Sequence, residues 1–249
     1  MPQVLVSPSD IANGQFHIRG SEAHHVIRVL RKKVNDEIHF FDGQGRSYIG
    51  KITSLSGPES PTAMASGQIL QGFSNPQKSV QIHLFQGFPR GPKFDYVLEK
   101  ATELGCDVII PFLSGKNPLR WDETQKLSKV SRWEKVLKAA SKQCNRSALP
   151  LVEEPQKLMS LGSRFKNALS LLFWEKEKEF SLREILQQNL KTAQQINLII
   201  GPESGFTQSE VDWMIKQGAI PVSLGALILR TETAGLVGLS VLNYELGLF

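Results

Sequence analysis

The stretch LGALILRTETAGLVGLSVLN, residues 224–243, sets Arg230 and Glu232 on either side of Thr231, between an apolar strand-like run and an apolar helix-like run. The first turn of a helix carries free N–H groups and the positive end of a dipole. A guanidinium beside it suits an anionic ligand group or a negative charge that develops during a reaction. The same residues also read as plain architecture, with Thr231 capping the helix and Arg230 and Glu232 neutralising each other; the residues alone leave both readings open. A second stretch, IIGPESGFTQSEVD, turns sharply through Gly201, Pro202, Glu203, Ser204 and Gly205 and restarts with Thr207 and Glu210 at capping-box spacing. It is neither a Walker loop nor a GxGxxG fingerprint. Alone it reads as a tight turn into a capped helix.

Both stretches follow apolar runs, and the pattern around them predicts what positions them. VQIHLF (80–85), VIIPFL (108–113), ALSLLFW (168–174), INLIIG (196–201) and IPVSLG (220–225) read as buried strands. Amphipathic stretches alternate with them, such as Phe94, Val97, Leu98, Ala101 and Leu104, which stop at Gly105. Alternation of this kind predicts an α/β domain built on a mostly parallel sheet, with its ligand crevice beyond the carboxyl ends of the strands. The helix from Thr231 is apolar on nearly every side, so it is buried or lies at an interface.

The first 70 or so residues read differently. Short alternations at Val4–Val6, Phe16–Ile18, Ile38–Phe41 and Tyr48–Ile52 predict strands, with FFDGQGRSYIGKI as a hairpin, and a small barrel is the natural closure. One short helix is expected at SEAHHVIRVLRKK, capped by Ser21, with Val26, Ile27 and Leu30 inward. Residues 56–79 are rich in Ser, Pro and Gly around one short apolar run, Ile69 to Leu70, which places a domain boundary nearby; domains are drawn at 1–72 and 73–249.

Composition excludes several classes. Cys106 and Cys144 form no CxxC pair, so neither a disulfide framework nor a cysteine zinc site is expected, and no metal is called for. The adjacent His24 and His25 point about 100° apart on a helix, which does not suit one metal. The start MPQVLVSPSD has no basic n-region with an apolar core, and no run reaches membrane-span length, so a cytoplasmic protein without membrane attachment is expected. A formal charge of +5 leaves a polyanionic partner open. Between Gly115 and Arg146 nine Lys or Arg face three acids, which is either a solvated helix face or a phosphate-tracking surface.

GPESGFTQSE and LGALILRTETA, with KFDYVLEKATELGCDVIIPF, KQCNRSALP and HHVIRVLRKKVNDEIHFFDGQG upstream, resemble the RsmE-type 16S rRNA (uracil-N3)-methyltransferase family of the SPOUT superfamily along most of the chain. The resemblance implies a PUA-like RNA-binding β-barrel followed by an α/β SPOUT domain with a C-terminal trefoil knot. It also implies S-adenosyl-L-methionine as cofactor, 16S rRNA of the small ribosomal subunit as partner, and a homodimer. Arg230 would then stabilise the anionic uracil, with Glu232 as an orienter or general base. Phe173 and Trp174, then Gly201, Pro202, Glu203 and Gly205, then Leu224, Gly225, Leu229 and Thr231 would hold the cofactor. His25, Arg28, Arg31, Lys32 and Lys33 would grip RNA. Asn145 and Arg146 would hold the target nucleotide or form a helix C-cap. The chain departs from the family pattern at three places: Ser204 stands where glycine is usual, SGKNPLR lacks an arginine-serine pair, and Lys142 replaces an acid before Gln143. If residue 204 needs a positive φ, serine costs about 1 kcal/mol there. A ribose 2′-O-methyltransferase of the same superfamily, or a non-catalytic RNA-binding assembly factor, are the alternatives.

Overall fold

The computed structural model describes residues 3–57, 61–74, 78–89, 92–115 and 121–248. The chain divides into two compact units, Met1–Gln77 with Lys138–Leu149, and Lys78–Leu137 with Pro150–Phe249.

In the first unit, β1 (Val4–Leu5), β2 (Ile11–Ala12), β3 (Gln15–Arg19), β4 (Glu37–Phe41), β5 (Arg46–Ser56) and β6 (Met64–Ser74) form one sheet in the order β1-β4-β5-β6-β3-β2. Alternation drives it: Phe16, Ile18, Ile38, Phe40 and Ile52 all point into one core. The hairpin between β4 and β5 turns on Asp42, whose Oδ1 accepts from the Gln44 N–H at 2.7 Å and the Arg46 N–H at 3.1 Å. Gly43 and Gly45 supply the positive φ values at that turn.

The elements depart from the expected ones in two places. Residues 56–79, expected to lie near a domain boundary, hold the eleven-residue β6, which pairs with both β5 and β3. Most of its later side chains are exposed, so it lacks the apolar signature by which a strand is recognised. Nor does Ser21 cap the short helix. Gly20, at φ +60, makes the turn, α1 (Gly20–His24) starts two residues earlier than a Ser21 cap implies and has no side-chain cap, and it runs on as a π-helical turn over His25–Val29.

The second unit is a parallel sheet of β7 (Gln81–Gly87), β8 (Val108–Leu113), β9 (Leu151–Val152), β10 (Gln156–Lys157), β11 (Leu169–Phe173), β12 (Gln195–Ile200) and β13 (Ala219–Val222). Its order is β10-β8-β7-β12-β11-β13, with β9 beside β8. Side chains alternate between two cores. Ile82, Leu84, Leu171, Leu198 and Ile200 join α2 (Lys93–Glu103) and α7 (Thr231–Glu245), whereas Phe85, Leu172 and Ile199 join α4 (Gly162–Lys166) and α6 (Gln208–Lys216). Each such side chain, fully buried, contributes about 1.5–3 kcal/mol. The remaining helices are α3 (Glu123–Gln143), with Trp133 and Leu137 inward, and α5 (Leu182–Asn189). α2 ends where expected, with Gly105 at φ +72. α7 lies so close to the sheet that a Cβ on Gly238 would stand 2.5 Å from the Phe173 ring. Among the described residues no helix is long and apolar enough to cross a membrane, and no cluster of metal ligands is found.

Candidate active site

Three parallel neighbours end side by side, β12 at Ile200, β11 at Phe173 and β13 at Val222. The turns that follow, with the first residues of α7, enclose a cavity of about 570 Å³. All twelve residues expected to act on a cofactor or in catalysis line it: Phe173 and Trp174; Gly201, Pro202, Glu203 and Gly205; Leu224, Gly225 and Leu229; Arg230, Thr231 and Glu232. Each turn has a local cause. Gly205 at φ +66 closes the second turn, its N–H bonding to the Pro202 carbonyl at 2.8 Å. Gly225 at φ +108 opens the third, and a Cβ there would meet nothing, so conformation and not space requires glycine. Ser204 is not among the positive-φ residues, so the strain expected of it does not arise; the left-handed position belongs to Gly205.

The architecture around Arg230 departs from the capping and neutralising reading and agrees with that of an open helix start. Thr231 is the first helical residue, and Arg230 occupies the N-cap with no side-chain cap bond. The Thr231 hydroxyl instead donates to the Gly201 carbonyl and accepts from Gln86 Nε2 at 2.8 Å, so the ends of β7 and β12 are tied to the start of α7. Gln86, which is fully buried, also donates to the Gly87 carbonyl at 3.1 Å. Glu232 does not neutralise Arg230. Its carboxylate pairs with Lys93 Nζ at 3.4 Å, and the same ammonium bonds the Glu203 carboxylate. The Glu203 bond is the largest cause that raises the Lys93 pKa above the ordinary lysine value, with Glu232 adding to it. Among the described residues Arg230 has no ion pair, and its side chain is exposed at the rim.

Sequence reasoning missed Gln86 and Lys93. A polar residue within the apolar run before Gly87 was the available signal for Gln86; nothing local marks Lys93.

The residues expected to contact RNA lie elsewhere. His25 and Arg28 are on the π-helical turn and Arg31, Lys32 and Lys33 just after it, all in the first unit. Asn145 has φ +59, and the Arg146 N–H bonds to the Ser141 carbonyl at 3.0 Å, which is the six-to-one bond of a Schellman cap ending α3. The C-cap reading therefore accounts for their backbone, while Arg146 Nε donates to the Ala148 carbonyl at 2.7 Å. Lys116 and Arg120 of the basic segment, and most of SGKNPLR, fall outside the described residues.

Residues 76–243 match the model of an RNA methyltransferase domain, and residues 18–63 match that of an RNA methyltransferase PUA domain. Among curated relatives, the ribosomal RNA small subunit methyltransferase E of Bacillus subtilis is 28% identical over 92% of this chain and 90% of its own. The protein of that name from Buchnera aphidicola (Acyrthosiphon pisum) is also 28% identical, over 100% and 95%. Among solved structures, a Legionella pneumophila protein described as a methyltransferase, in complex with the cofactor SAM, has a TM-score of 0.82 at 25% identity, covering 98% of this chain and 97% of its own. The ribosomal RNA small subunit methyltransferase E of Neisseria gonorrhoeae shares the fold, with a TM-score of 0.83 at 23% identity over 98% and 97%.

Proposed function

The chain belongs to the RNA methyltransferase family, and from that premise we propose that it is an S-adenosyl-L-methionine-dependent methyltransferase acting on N3 of a uridine in 16S rRNA of the small ribosomal subunit. The observation that carries this reading is the cavity itself, where an unpaired guanidinium stands at the start of a helix whose N-terminus has no side-chain cap.

The residues present fit that cofactor. A volume of about 570 Å³ lies within the roughly 300–1,000 Å³ usual for small-molecule sites. Leu224 and Leu229 offer apolar faces for an adenine, and the backbone of the glycine turns offers amides and carbonyls for its edge. When bound, the cofactor supplies a methyl group on a positively charged sulfur. The chain's own residues do the rest. N3 of uracil must give up its proton to a general base before the new N–C bond forms, and the ring then carries negative charge. The Arg230 guanidinium is free to meet that charge with two donors, orienting the base as it does so. Glu232, in the first turn of α7, serves as an orienter or as the general base that takes this proton. Holding both partners in line supplies much of the remaining rate.

Residues 1–72 act as the PUA-like RNA-binding domain and 73–249 as the SPOUT methyltransferase domain, a division supported by the two family matches. RNA is gripped by His25, Arg28, Arg31, Lys32 and Lys33, and the target nucleotide by Asn145 and Arg146. A trefoil knot in the C-terminal part of the second domain belongs to the same reading. A homodimer through α7 is supported by the partial exposure of Leu236, Val237 and Val241 beside the exposed Tyr244. Action on ribosomal RNA places the protein in the cytoplasm.

The test is to incubate the protein with methyl-labelled S-adenosyl-L-methionine and small subunits lacking the modification, then to identify the labelled nucleoside by mass spectrometry. Label in 3-methyluridine is expected. Label in a 2′-O-methyl nucleoside would replace this reading with ribose methylation, and no label with a non-catalytic RNA-binding role.

A further inference from the structure

Lys93 has no part in the reading above, yet it is the one described cation that contacts Glu232. Glu232 exposes only 14% of its side chain, one of its oxygens is buried with no hydrogen-bond partner, and the other lies 3.4 Å from Lys93 Nζ. A carboxylate in such surroundings needs a cation, because an uncompensated buried charge is costly. Two cations border it, Lys93 at the start of α2 and Arg230 two residues before it, while Glu203 and Glu175 are the other charged groups lining the cavity among the described residues. Among the described residues the structure pairs Glu232 with Lys93 and gives Arg230 no ion pair.

We infer that Lys93 is a positioning residue which holds the Glu232 carboxylate and so keeps the Arg230 guanidinium available to an anionic substrate group. This rests on the reading of Arg230 given above. Lys93 reaches across from α2 and binds Glu203 and Glu232 together, which fixes the second turn against the first turn of α7. Arg230 sits at the N-cap in extended conformation, φ −65 and ψ 154, and is exposed, whereas Glu232 exposes only 14% of its side chain. Without the ammonium, Arg230 is the one other cation among the described residues that lines the cavity with Glu232, and the two sit close enough in sequence for their flexible side chains to meet.

The experiment compares the full-length protein with Lys93→Met, Lys93→Arg and the double variant Lys93→Met with Glu232→Gln. It uses crystal structures, S-adenosyl-L-methionine calorimetry and turnover on small subunits. In Lys93→Met the crystal structure is expected to show Glu232 paired with Arg230, and turnover is expected to fall at least tenfold at a similar cofactor affinity. Lys93→Arg should restore turnover to within about threefold. Removing the carboxylate as well should recover part of the loss, because nothing then captures Arg230. The inference is overturned if Glu232 in Lys93→Met stays clear of Arg230, if turnover is unchanged, or if the double variant multiplies the two losses. Thermal denaturation separates these results from misfolding, with Lys93→Arg as the folded control. The crystallographic result does not depend on activity. A wild-type protein that methylates nothing would sink the functional reading, whereas the Glu232–Arg230 pairing in Lys93→Met decides the inference by itself.

Discussion

Two helices of the parallel domain begin just after a glycine turn at a strand end, yet they begin differently. α6 seals its own start: Thr207 Oγ1 accepts from the Glu210 N–H at 3.2 Å, and Glu210 Oε2 accepts from the Thr207 N–H at 2.8 Å. Glu210 is buried and takes the Gly115 N–H as well, at 2.8 Å. α7 has no such box. Its threonine is turned away to Gly201 and Gln86, its acid to Lys93, and its N-cap arginine lies at the cavity rim. A helix start satisfied from within its own turn is finished as architecture. One whose side chains are committed elsewhere leaves its dipole end and first N–H groups for a ligand.

The contrast can be broken from either side. The largest effect is expected at Thr231→Val, which keeps the shape and removes the hydroxyl. The Gly201 carbonyl then loses the hydroxyl donor and Gln86 keeps only its bond to the Gly87 carbonyl, at about 1–3 kcal/mol for each buried group left unsatisfied. Both the denaturation midpoint and cofactor affinity should fall; unchanged affinity would detach the tie from the cavity. Next comes Arg230→Ala, expected to lower turnover at least tenfold, about 1.4 kcal/mol in the barrier, with calorimetric affinity for S-adenosyl-L-methionine near normal. Wild-type turnover in that variant would remove Arg230 from the mechanism. Thr207→Ala should cost about 1 kcal/mol of stability through its lost cap while leaving cofactor affinity alone, and a large affinity loss would show that α6 also serves the ligand. The smallest effect is expected from Ser204→Gly: no strain is relieved, and the added chain freedom costs less than about 1 kcal/mol. A clear rise in stability or affinity would show that residue 204 was strained after all.

What the sequence made legible was whatever is written within a few residues. The capping box of α6 rests on a three-residue spacing, and the end of α2 on Gly105 after a helical apolar stripe. The parallel strands were visible because burial on both faces leaves continuous apolar runs. The twelve cavity residues were found because they crowd into three such strand ends, with a family resemblance to assign their roles. Long-range polar partners were not legible. Gln86 meets Thr231 across 145 residues, and Lys93 meets Glu203 across 110. β6 escaped because its later side chains are exposed on both faces, and Ser21 misled because Gly20 already makes the turn that a cap would make.

The Gln86–Thr231 bond has a consequence for how this protein fails. α7 is held by side-chain bonds and by packing that a single methyl group at Gly238 would disturb, whereas β7, β12, β11 and β13 are joined by backbone ladders. In mild denaturant the helix can detach as a local opening while the ladders persist. A population of molecules would then retain most of its circular dichroism and yet have no pocket. Added ligand would protect the α7 amides from hydrogen exchange more than those of β12, because it binds only the closed form. For this chain, intact secondary structure is a poor certificate of a competent site.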